Sequence, residues 1–330
     1  MTPTRFLLFR LMMKLLLIIF AVIFVLLILL EGSLRLVFGL GKRLIYIPDT
    51  EIGYLLAPNQ NLRRFGKQII INQYSMRSQP IEKHPEKNTL RLFLLGDSVA
   101  NGAWWTDQSD TISTLISNTL KLDFVKRIEV LNASANSWGP RNQLAYLQRF
   151  GTFDAQIIIL LLNTDDLFAT APTGLPVGRD RHYPNTQPSS AITELLERVF
   201  AKSEDIPEMA NILGEKGDRV GINLTALTQI QAIATESQIP LLVAITPLKR
   251  EVENNPKDYE QKARKRLTQW AQEQNIPLID FLEVFQENKD KTILYRDHIH
   301  LSPQGNQLVS QTISQKLRLL AIFDPPNPIP

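Results

Sequence analysis

The chain has 330 residues, of which 44% are hydrophobic and 21% are charged, as is ordinary for a globular protein of one large domain or two small ones. It contains no cysteine, which excludes disulfides, a thiolate nucleophile and cysteine-ligated metals. Four basic residues and one acidic residue in positions 1–37 account for the whole net charge of +3. The remainder is formally neutral and offers no basic stripe for nucleic acid.

An uninterrupted apolar run, LLLIIFAVIFVLLILL, occupies residues 15–30. As a helix it spans roughly 24 Å, and adding residues 11–14 brings it to about 30 Å, the thickness of the hydrocarbon core, with Lys14 snorkelling to the surface. A cleaved signal peptide is the alternative, but its apolar region is normally shorter and ends in small residues. The sequence Glu-Gly-Ser-Leu-Arg follows here. We therefore predict a retained N-terminal transmembrane anchor over residues 1–37.

Charge does not set the orientation of this anchor, because three basic residues precede the apolar run and three follow it: Arg5, Arg10 and Lys14, then Arg35, Lys42 and Arg43. A single anchor with a short N-terminal tail and a large trailing domain usually places that domain outside. We expect the domain that follows the anchor to be extracytoplasmic, in the periplasm.

Residues 38–88 are predicted to form an extended lead-in with short strands, such as KQIIIN at 67–72. Apolar strands then alternate with helices. We predict strands at 90–96, 127–134, 155–163, 239–247 and 276–280, and helices near 109–122, 140–150, 219–237, 256–274 and 303–320. Strands that are apolar on both faces indicate a parallel sheet covered on both sides, hence a three-layer α/β/α sandwich with about five parallel strands.

This predicted domain spans residues 89–320, and the proline-rich tail 321–330 is expected to be disordered. A loop rich in Pro, Thr, Gly and Asn is predicted at 168–189, after the third strand. It either covers a site at the carboxyl ends of the strands or is a disordered insertion.

A serine follows the first strand of this domain, in LFLLGDSVANG at 92–102. A serine nucleophile needs a base and a group that orients that base. Asp297, His298 and His300 follow the last predicted strand, so they reach the same sheet edge as Ser98. An Asp-x-x-His turn can bring the Asp297 carboxylate to one nitrogen of His300. His298 is the competing base, but adjacent residues usually diverge, which favours His300. The alternative is that Asp97 and Ser98 cap a helix and both histidines are surface residues.

Together these segments resemble the SGNH, or GDSL-type, hydrolases over roughly residues 50–320. Gly96-Asp97-Ser98 with Gly102 matches the first motif block of that family, and Asp297-His298-Ile299-His300-Leu301 with Gly305-Asn306 matches the last. The lead-in segments GYLLAPN at 53–59 and INQYSMRS at 71–78 resemble those of membrane-anchored bacterial members. The resemblance implies a flavodoxin-like fold and a triad in which Ser98 is the nucleophile, His300 the base and Asp297 its orienter.

The resemblance also implies that an oxyanion is bound by the nucleophile's N–H, a glycine N–H and an asparagine side chain. Ser137, in NASANSWGP, stands where that glycine is usual, so its N–H serves only if Ser137 adopts the required dihedrals. Gly139 is the other source of flexibility. Asp165, in LLLNTDDLF, stands at the asparagine position, and an ionised carboxylate repels an oxyanion. Either Asn163 donates through a shifted turn, or burial protonates Asp165, or ester hydrolysis is inefficient.

We expect a membrane-anchored serine ester hydrolase that acts on an ester-bearing small molecule, lipid or polysaccharide, with acetyl esters of an envelope polysaccharide as one candidate. An O-acyltransferase with the same triad is one alternative, and a catalytically impaired carbohydrate-binding or assembly protein is another. Trp104 and Trp105 either wall a sugar-binding pocket, or one packs into the core and the other shields the first helix. We find no metal-ligand cluster and no phosphate-binding glycine loop in the sequence, so neither a metal nor a cofactor is expected.

Overall fold

The computed structural model describes residues 3–122, 127–201 and 205–320. Its first element is helix α1 (Pro3–Phe38). The 32-residue part Leu7–Phe38 is long and apolar enough to cross a membrane, and the rest of the protein does not bury its apolar portion. A signal sequence near an N-terminus shares these features. The helix is therefore compatible with both interpretations of the apolar run, and the transmembrane anchor stays a prediction.

Two antiparallel hairpins form the lead-in after α1. Strand β1 (Tyr46–Asp49) pairs with β2 (Gly53–Leu56), and β3 (Gln60–Arg64) pairs with β4 (Lys67–Ile71). Both hairpins contribute side chains to the largest hydrophobic core of the protein, among them Tyr46, Leu56, Leu62, Ile69 and Ile71. The lead-in is therefore packed onto the domain that follows.

A five-stranded parallel sheet forms the centre of the domain. Its strands are β5 (Thr89–Gly96), β6 (Arg127–Ser134), β7 (Ile157–Asn163), β8 (Leu241–Thr246) and β9 (Leu278–Asp280), in the spatial order β6-β5-β7-β8-β9. The strands that follow β5 in the chain lie on opposite sides of it, so the carboxyl end of β5 is a topological switch point. Open parallel sheets bind their ligands at such points.

Helices cover both faces of this sheet: α4 (Pro140–Phe150), α7 (Arg219–Glu236) and α9 (Asp258–Glu273) on one face, and α3 (Ile112–Lys121) and α11 (Pro303–Leu319) on the other. Successive strand side chains point to opposite faces, so Phe93 and Leu95 of β5 pack in the first core and Leu92 and Leu94 in the second. The predicted three-layer α/β/α sandwich with about five parallel strands is confirmed.

Several short helices were not predicted: α2 (Ser98–Asn101), α5 (Ala191–Phe200), α6 (Met209–Leu213), α8 (Lys249–Asn254) and α10 (Phe281–Gln286). All of these helices except α5 have six residues or fewer, which is too short for a clear periodicity in the sequence. Residues 169–190, close to the predicted loop, contain neither helix nor strand. The tail predicted to be disordered, 321–330, lies outside the described residues.

Candidate active site

The turn after β5 presents Ser98 at the switch point of the sheet. Asp97 caps α2, and its Oδ1 accepts the Val99 N–H at 2.8 Å. A Cβ atom on Gly96 would lie 2.5 Å from the Ala100 Cβ, so glycine permits α2 to fold back closely on the end of the strand. The sequence Gly-Asp-Ser therefore delivers the serine hydroxyl to the carboxyl edge of the sheet.

His300 reaches this hydroxyl from the other end of the domain. Its Nε2 lies 3.0 Å from Ser98 Oγ, and its Nδ1 lies 2.8 Å from Asp297 Oδ2. An ionised carboxylate only accepts hydrogen bonds, so Nδ1 carries the ring proton and Nε2 offers its lone pair to the serine. The structure brings together the three side chains that the sequence analysis selected as a triad.

Backbone hydrogen bonds hold Asp297 in its charged form. Partial burial raises the pKa of its carboxyl group, but the N–H groups of His300 and Ile299, 2.8 and 3.0 Å from Oδ1, together with the His300 ring, lower the pKa more. The ion pair with Arg296, at 3.3 Å, also favours the carboxylate. The net pKa lies below its usual value, so Asp297 is anionic at neutral pH and can orient the His300 ring.

The loop that carries Asp297 and His300 is fixed at both ends. The Lys249 N–H donates to the His298 carbonyl at 2.9 Å. In the first turn of α11, a Cβ atom on Gly305 would lie 2.2 Å from the Leu294 carbonyl oxygen, so glycine allows this close approach. Asn306 Nδ2 donates to the Asp110 carbonyl at 3.0 Å, which ties α11 to the turn before α3.

The other three histidines lie at the surface. The His298 side chain is 84% exposed, and its Nδ1 is 3.8 Å from the nearest Asp297 oxygen. His84 pairs with Asp154, and His182 pairs with Asp180, both in exposed positions. Within the described part of the chain, His300 is the histidine that contacts Ser98.

Asn163 joins two buried carboxyl groups, those of Asp97, next to Ser98, and Asp166. The Asn163 Nδ2 donates to Asp97 Oδ2 at 2.6 Å, and the Asn163 N–H donates to Asp166 Oδ2 at 2.9 Å. Ser98 Oγ lies 3.2 Å from the same Asp97 Oδ2. Burial raises the pKa of Asp97, and burial with the Asp97 charge raises that of Asp166 well above its usual value. The Asn163 amide, selected as an oxyanion donor, is buried in this network and supports Asp97.

Ser137 adopts a left-handed backbone conformation, with φ of +57°. Glycine adopts this conformation without strain, whereas it is uncommon for other residues. Tyr183, from the loop 168–189, donates its hydroxyl proton to Ser137 Oγ at 3.0 Å, so this loop contacts the segment that carries Ser137. Gly139 instead serves close packing, since its Cβ would lie 2.3 Å from the Ala169 Cβ.

The charged neighbours of the Asp165 carboxyl group are Glu260, Glu251 and Arg250 of α8 and α9, and His298 of the loop that carries His300. Loss of part of its hydration, together with the charges of Glu260 and Glu251, raises the pKa of its exposed carboxyl group. Its N–H donates to Asn163 Oδ1 at 2.7 Å. Among the described residues, no hydrogen bond or ion pair joins the Asp165 side chain to Ser98.

Trp105 packs directly against the histidine of the cluster. Its ring centroid lies 4.5 Å from that of His300, and the Arg296 guanidinium carbon lies 4.6 Å from the Trp105 centroid. Trp104 contacts Trp105 at 5.9 Å. Both tryptophans are half-buried. Arg296 was not predicted as a site residue, although it is the neighbour of Asp297 in the sequence.

A fully buried arginine of the lead-in supports the loop that carries both tryptophans. Arg77 donates to the carbonyl oxygens of Ala103 and Thr106, to the latter at 2.8 Å, and to Gln108 Oε1 at 2.9 Å. Burial lowers the pKa of Arg77 to about 10, so the guanidinium is still charged at neutral pH. The lead-in thus fixes the loop beside the candidate site.

Residues 3–122, 127–201 and 205–320 contain no group of three or more His, Asp or Glu side chains that could hold a metal ion. The chemistry of the cluster is that of a hydroxyl, an imidazole and a carboxylate in series. Such a series can move a proton from the hydroxyl to the imidazole while the carboxylate stabilises the resulting cation.

The GDSL-like lipase/acylhydrolase family model matches residues 94–308, more than half of the chain and a range that includes Ser98 and His300. Among solved structures, the chain is similar to a lipase/acylhydrolase from Enterococcus faecalis, with 14% identity and a TM-score of 0.46 over 72% of this chain and 99% of that one. It is also similar to the acetyl xylan esterase AlAXEase, with 14% identity and a TM-score of 0.45 over 69% of this chain and 100% of that one. A catalytic mutant of the acetylxylan esterase Axe2 from Geobacillus stearothermophilus matches with 12% identity and a TM-score of 0.43 over 69% and 94%. No curated protein matches the chain.

Proposed function

Because the chain belongs to the GDSL-like lipase/acylhydrolase family, we propose that this carboxylic ester hydrolase acts through Ser98, His300 and Asp297. The observation that carries the proposal is the pair of contacts on the His300 ring, 3.0 Å to Ser98 Oγ and 2.8 Å to Asp297 Oδ2. Both lie within the range in which a base accepts a proton and a carboxylate orients that base.

In the proposed reaction, His300 Nε2 accepts the proton of Ser98 as Oγ attacks the ester carbonyl. The charge of Asp297 stabilises the imidazolium, which then gives the proton to the departing alcohol. An acyl-enzyme on Ser98 is left. Water, deprotonated by His300, attacks this ester, and the acid is released as Ser98 regains its proton.

The developing oxyanion needs hydrogen-bond donors, and we propose the N–H groups of Ser98 and Ser137. The support for Ser137 is its left-handed backbone and its position just after β6, the strand that pairs with β5. Asp165 supplies an N–H donor to Asn163 and no side-chain donor when ionised. The absence of one oxyanion donor typically costs about 100- to 1000-fold in rate, so we expect a slow rather than an inactive esterase.

We further propose that α1 is a retained transmembrane anchor and that the domain lies in the periplasm. Support for the anchor comes from the 32-residue apolar helix and from the packing of its last turns against the folded domain. An enzyme in this place meets acyl esters of envelope lipids and polysaccharides, with acetyl groups as the smallest candidates.

The test uses the full chain in detergent, with p-nitrophenyl acetate as the ester and a fluorophosphonate probe for the nucleophile. We expect Ser98→Ala and His300→Gln to lose about 1000-fold or more in kcat, because the members of a triad act as a unit. His298→Gln is the matched control, two positions away in the same loop, and should stay within a few-fold of the parent. Loss of labelling in His298→Gln with retention in His300→Gln would reverse the assignment of the base.

An O-acyltransferase is the second candidate, favoured by the tryptophan pair beside His300, since aromatic rings commonly stack on sugars. A sugar hydroxyl would replace water in the second step. Product analysis with an acetyl donor and a polysaccharide acceptor separates the two: ester on the acceptor indicates transfer, and free acid alone indicates hydrolysis.

A further inference from the structure

Helix α5 carries an apolar stripe that the described parts of the protein leave exposed. Leu196, Val199 and Phe200 are 51%, 64% and 74% exposed. Their spacing of three and four residues places them on one face of the helix. Single exposed apolar side chains are common on proteins, but a stripe of three large ones on a ten-residue helix is typical of a contact surface.

This helix is attached to α1 at the level where the apolar run ends. Glu31 is the first charged residue after the run 15–30, and its two carboxylate oxygens accept the N–H groups of Ala191 and Ile192, both at 2.9 Å. The last turns of α1 continue this contact through apolar packing, which involves Leu34, Leu40, Ala191, Ile192 and Leu195. If α1 crosses a bilayer, α5 begins where the hydrocarbon core ends.

Buried polar contacts keep α5 in this place. Glu194, in the first turn of α5, forms an ion pair with Arg64 of β3, and both side chains are 2% exposed. The Gly41 N–H also donates to Glu194 Oε2, at 2.6 Å. These bonds join α5 to the segment that leaves α1 and to the lead-in hairpin, so the stripe has a fixed position beside the anchor.

Exposed cations lie around the end of α1, and the partly exposed Glu197 of α5 is paired with Arg43. Lys42 and Arg63 are both exposed, and the Arg63 carbonyl oxygen lies so close to Gly39 that a Cβ there would be 1.9 Å away. Arg198 adds a partly exposed guanidinium on α5. Such a group of cations attracts the anionic headgroups of phospholipids.

A series of aromatic contacts leads from the end of α1 to the candidate base. The ring centroids are 6.2 Å apart for Phe38 and Phe65, 5.2 Å for Phe65 and Trp104, and 5.9 Å for Trp104 and Trp105. The last contact, Trp105 to His300, is 4.5 Å. The candidate active site is therefore four ring contacts from the last residue of α1.

We propose that α5 is an interfacial membrane contact whose stripe lies against an anionic bilayer beside α1, and that it holds the active site at the membrane surface. The ester that reaches Ser98 is then carried by a membrane-associated amphiphile. This inference rests on the proposed membrane anchor.

The cysteine-free chain permits a direct test by single spin labels. The full chain is reconstituted in phosphatidylethanolamine–phosphatidylglycerol vesicles, with a nitroxide on a cysteine placed at Leu196, Val199 or Phe200. Oxygen, which concentrates in the bilayer, and a water-soluble nickel chelate report the depth of each label. The references are Leu30, at the end of the apolar run, and Leu122, which is 87% exposed at the end of α3.

We expect the three stripe labels to resemble Leu30, with access to oxygen and protection from nickel. Nickel access equal to that of Leu122, with Leu30 still protected, would overturn the α5 contact and leave the anchor intact. Protection from both relaxants would mean that protein covers the stripe and would also overturn it. Nickel access at Leu30 would refute the anchor itself, and the α5 contact with it.

A kinetic measurement tests the consequence for the substrate. A triple variant with serine at Leu196, Val199 and Phe200 is compared with the parent on 4-methylumbelliferyl oleate in the same vesicles and on soluble p-nitrophenyl acetate. We expect a loss of about tenfold or more on the vesicle-borne ester only. If the triple variant hydrolyses both esters at the rates of the parent, the proposal of a membrane-borne substrate is overturned. If the parent protein hydrolyses neither ester, the proposed hydrolase activity is contradicted. The spin-label measurement then still decides whether α5 contacts the membrane.

Discussion

The Asn163 side-chain amide donates to Asp97 Oδ2 at 2.6 Å and so ties the end of β7 to the turn that carries Ser98. Asp97 in turn caps α2 through the Val99 N–H. The position of the serine hydroxyl therefore depends on a buried amide of the neighbouring strand. We therefore expect Asn163 to support the nucleophile turn through Asp97.

Replacement of Asn163 by alanine should weaken both the fold and catalysis. The buried Asp97 carboxyl group would lose a donor, which costs about 1.5–3 kcal/mol of unfolding free energy for a hydrogen bond to a charged group. The Ser98 turn would be less fixed, so we expect kcat to fall by about tenfold. Urea unfolding and p-nitrophenyl acetate hydrolysis measure the two effects.

Asn118→Ala, at an exposed position of α3, is the control and should change the unfolding free energy by no more than about 0.5 kcal/mol. An Asn163→Ala protein of parental stability and kcat would show that the Asn163 amide does not hold the nucleophile turn.

Asp165→Asn should raise esterase activity, and the gain should depend on pH. Loss of hydration and the Glu260 and Glu251 charges raise the pKa of Asp165, so its carboxyl group stays protonated to a higher pH than usual. The protonated group can donate a hydrogen bond as asparagine does, whereas the carboxylate cannot. The ratio of variant to parent kcat/KM should therefore be near one at low pH and rise with pH through the raised pKa.

The use of a ratio removes any pH dependence that parent and variant share. A ratio above one that does not vary with pH would show that the Asp165 carboxyl group does not titrate in this range. A ratio below one at every pH would assign Asp165 a positive role in catalysis.

Arg77→Met should destabilise the protein and disturb the tryptophan loop. The change leaves the buried carbonyl oxygens of Ala103 and Thr106 without their donor, which we expect to cost about 3 kcal/mol or more of unfolding free energy. Arg77→Lys should be intermediate, since an ammonium cannot span the same set of acceptors. Denaturant unfolding measures the free energies, with Arg63→Met as a control at an exposed position. An Arg77→Met protein as stable as the parent would contradict the prediction.

The sequence predicts those elements of the protein that are marked by a pattern of neighbouring residues. Every residue of β7 is buried, so an apolar run sufficed to locate a central strand. Gly96-Asp97-Ser98 and Asp297-x-x-His300 are local patterns at strand ends, and topology brings such ends to one sheet edge. The family match confirms the resemblance that those patterns indicated.

The parts that were missed depend on contacts between distant segments. Asn163 and Asp97 are 66 positions apart, and no periodicity links an amide after one strand to a carboxylate after another. Helix α5 was not predicted, and the position of its exposed stripe beside α1 depends on a contact between segments about 160 residues apart. The role of Arg77 likewise depends on its hydrogen bonds to distant backbone carbonyl oxygens, which no sequence pattern reveals.

The buried ion pair between Arg64 and Glu194 should make the attachment of α5 sensitive to acid. Burial raises the pKa of Glu194, but the Arg64 guanidinium lowers it more, so the folded-state pKa lies below the unfolded value. A group of this kind stabilises the fold above its unfolded pKa, and that stability is lost as the pH falls through the folded pKa. The loss therefore belongs to the range below the ordinary glutamate pKa of about 4.3.

At neutral pH, Glu194→Gln should lower the unfolding free energy by about 3–5 kcal/mol, because it leaves Arg64 buried without its counter-charge. The difference between parent and variant should shrink as the pH falls below about 4, since the parent then loses the same interaction. The double variant Arg64→Met, Glu194→Met should recover much of the neutral-pH stability, because apolar side chains of similar length need no counter-charge. A difference that persists undiminished in acid would mean that Glu194 contributes through the shape of its side chain, and the ion pair would no longer explain why α5 stays beside the anchor.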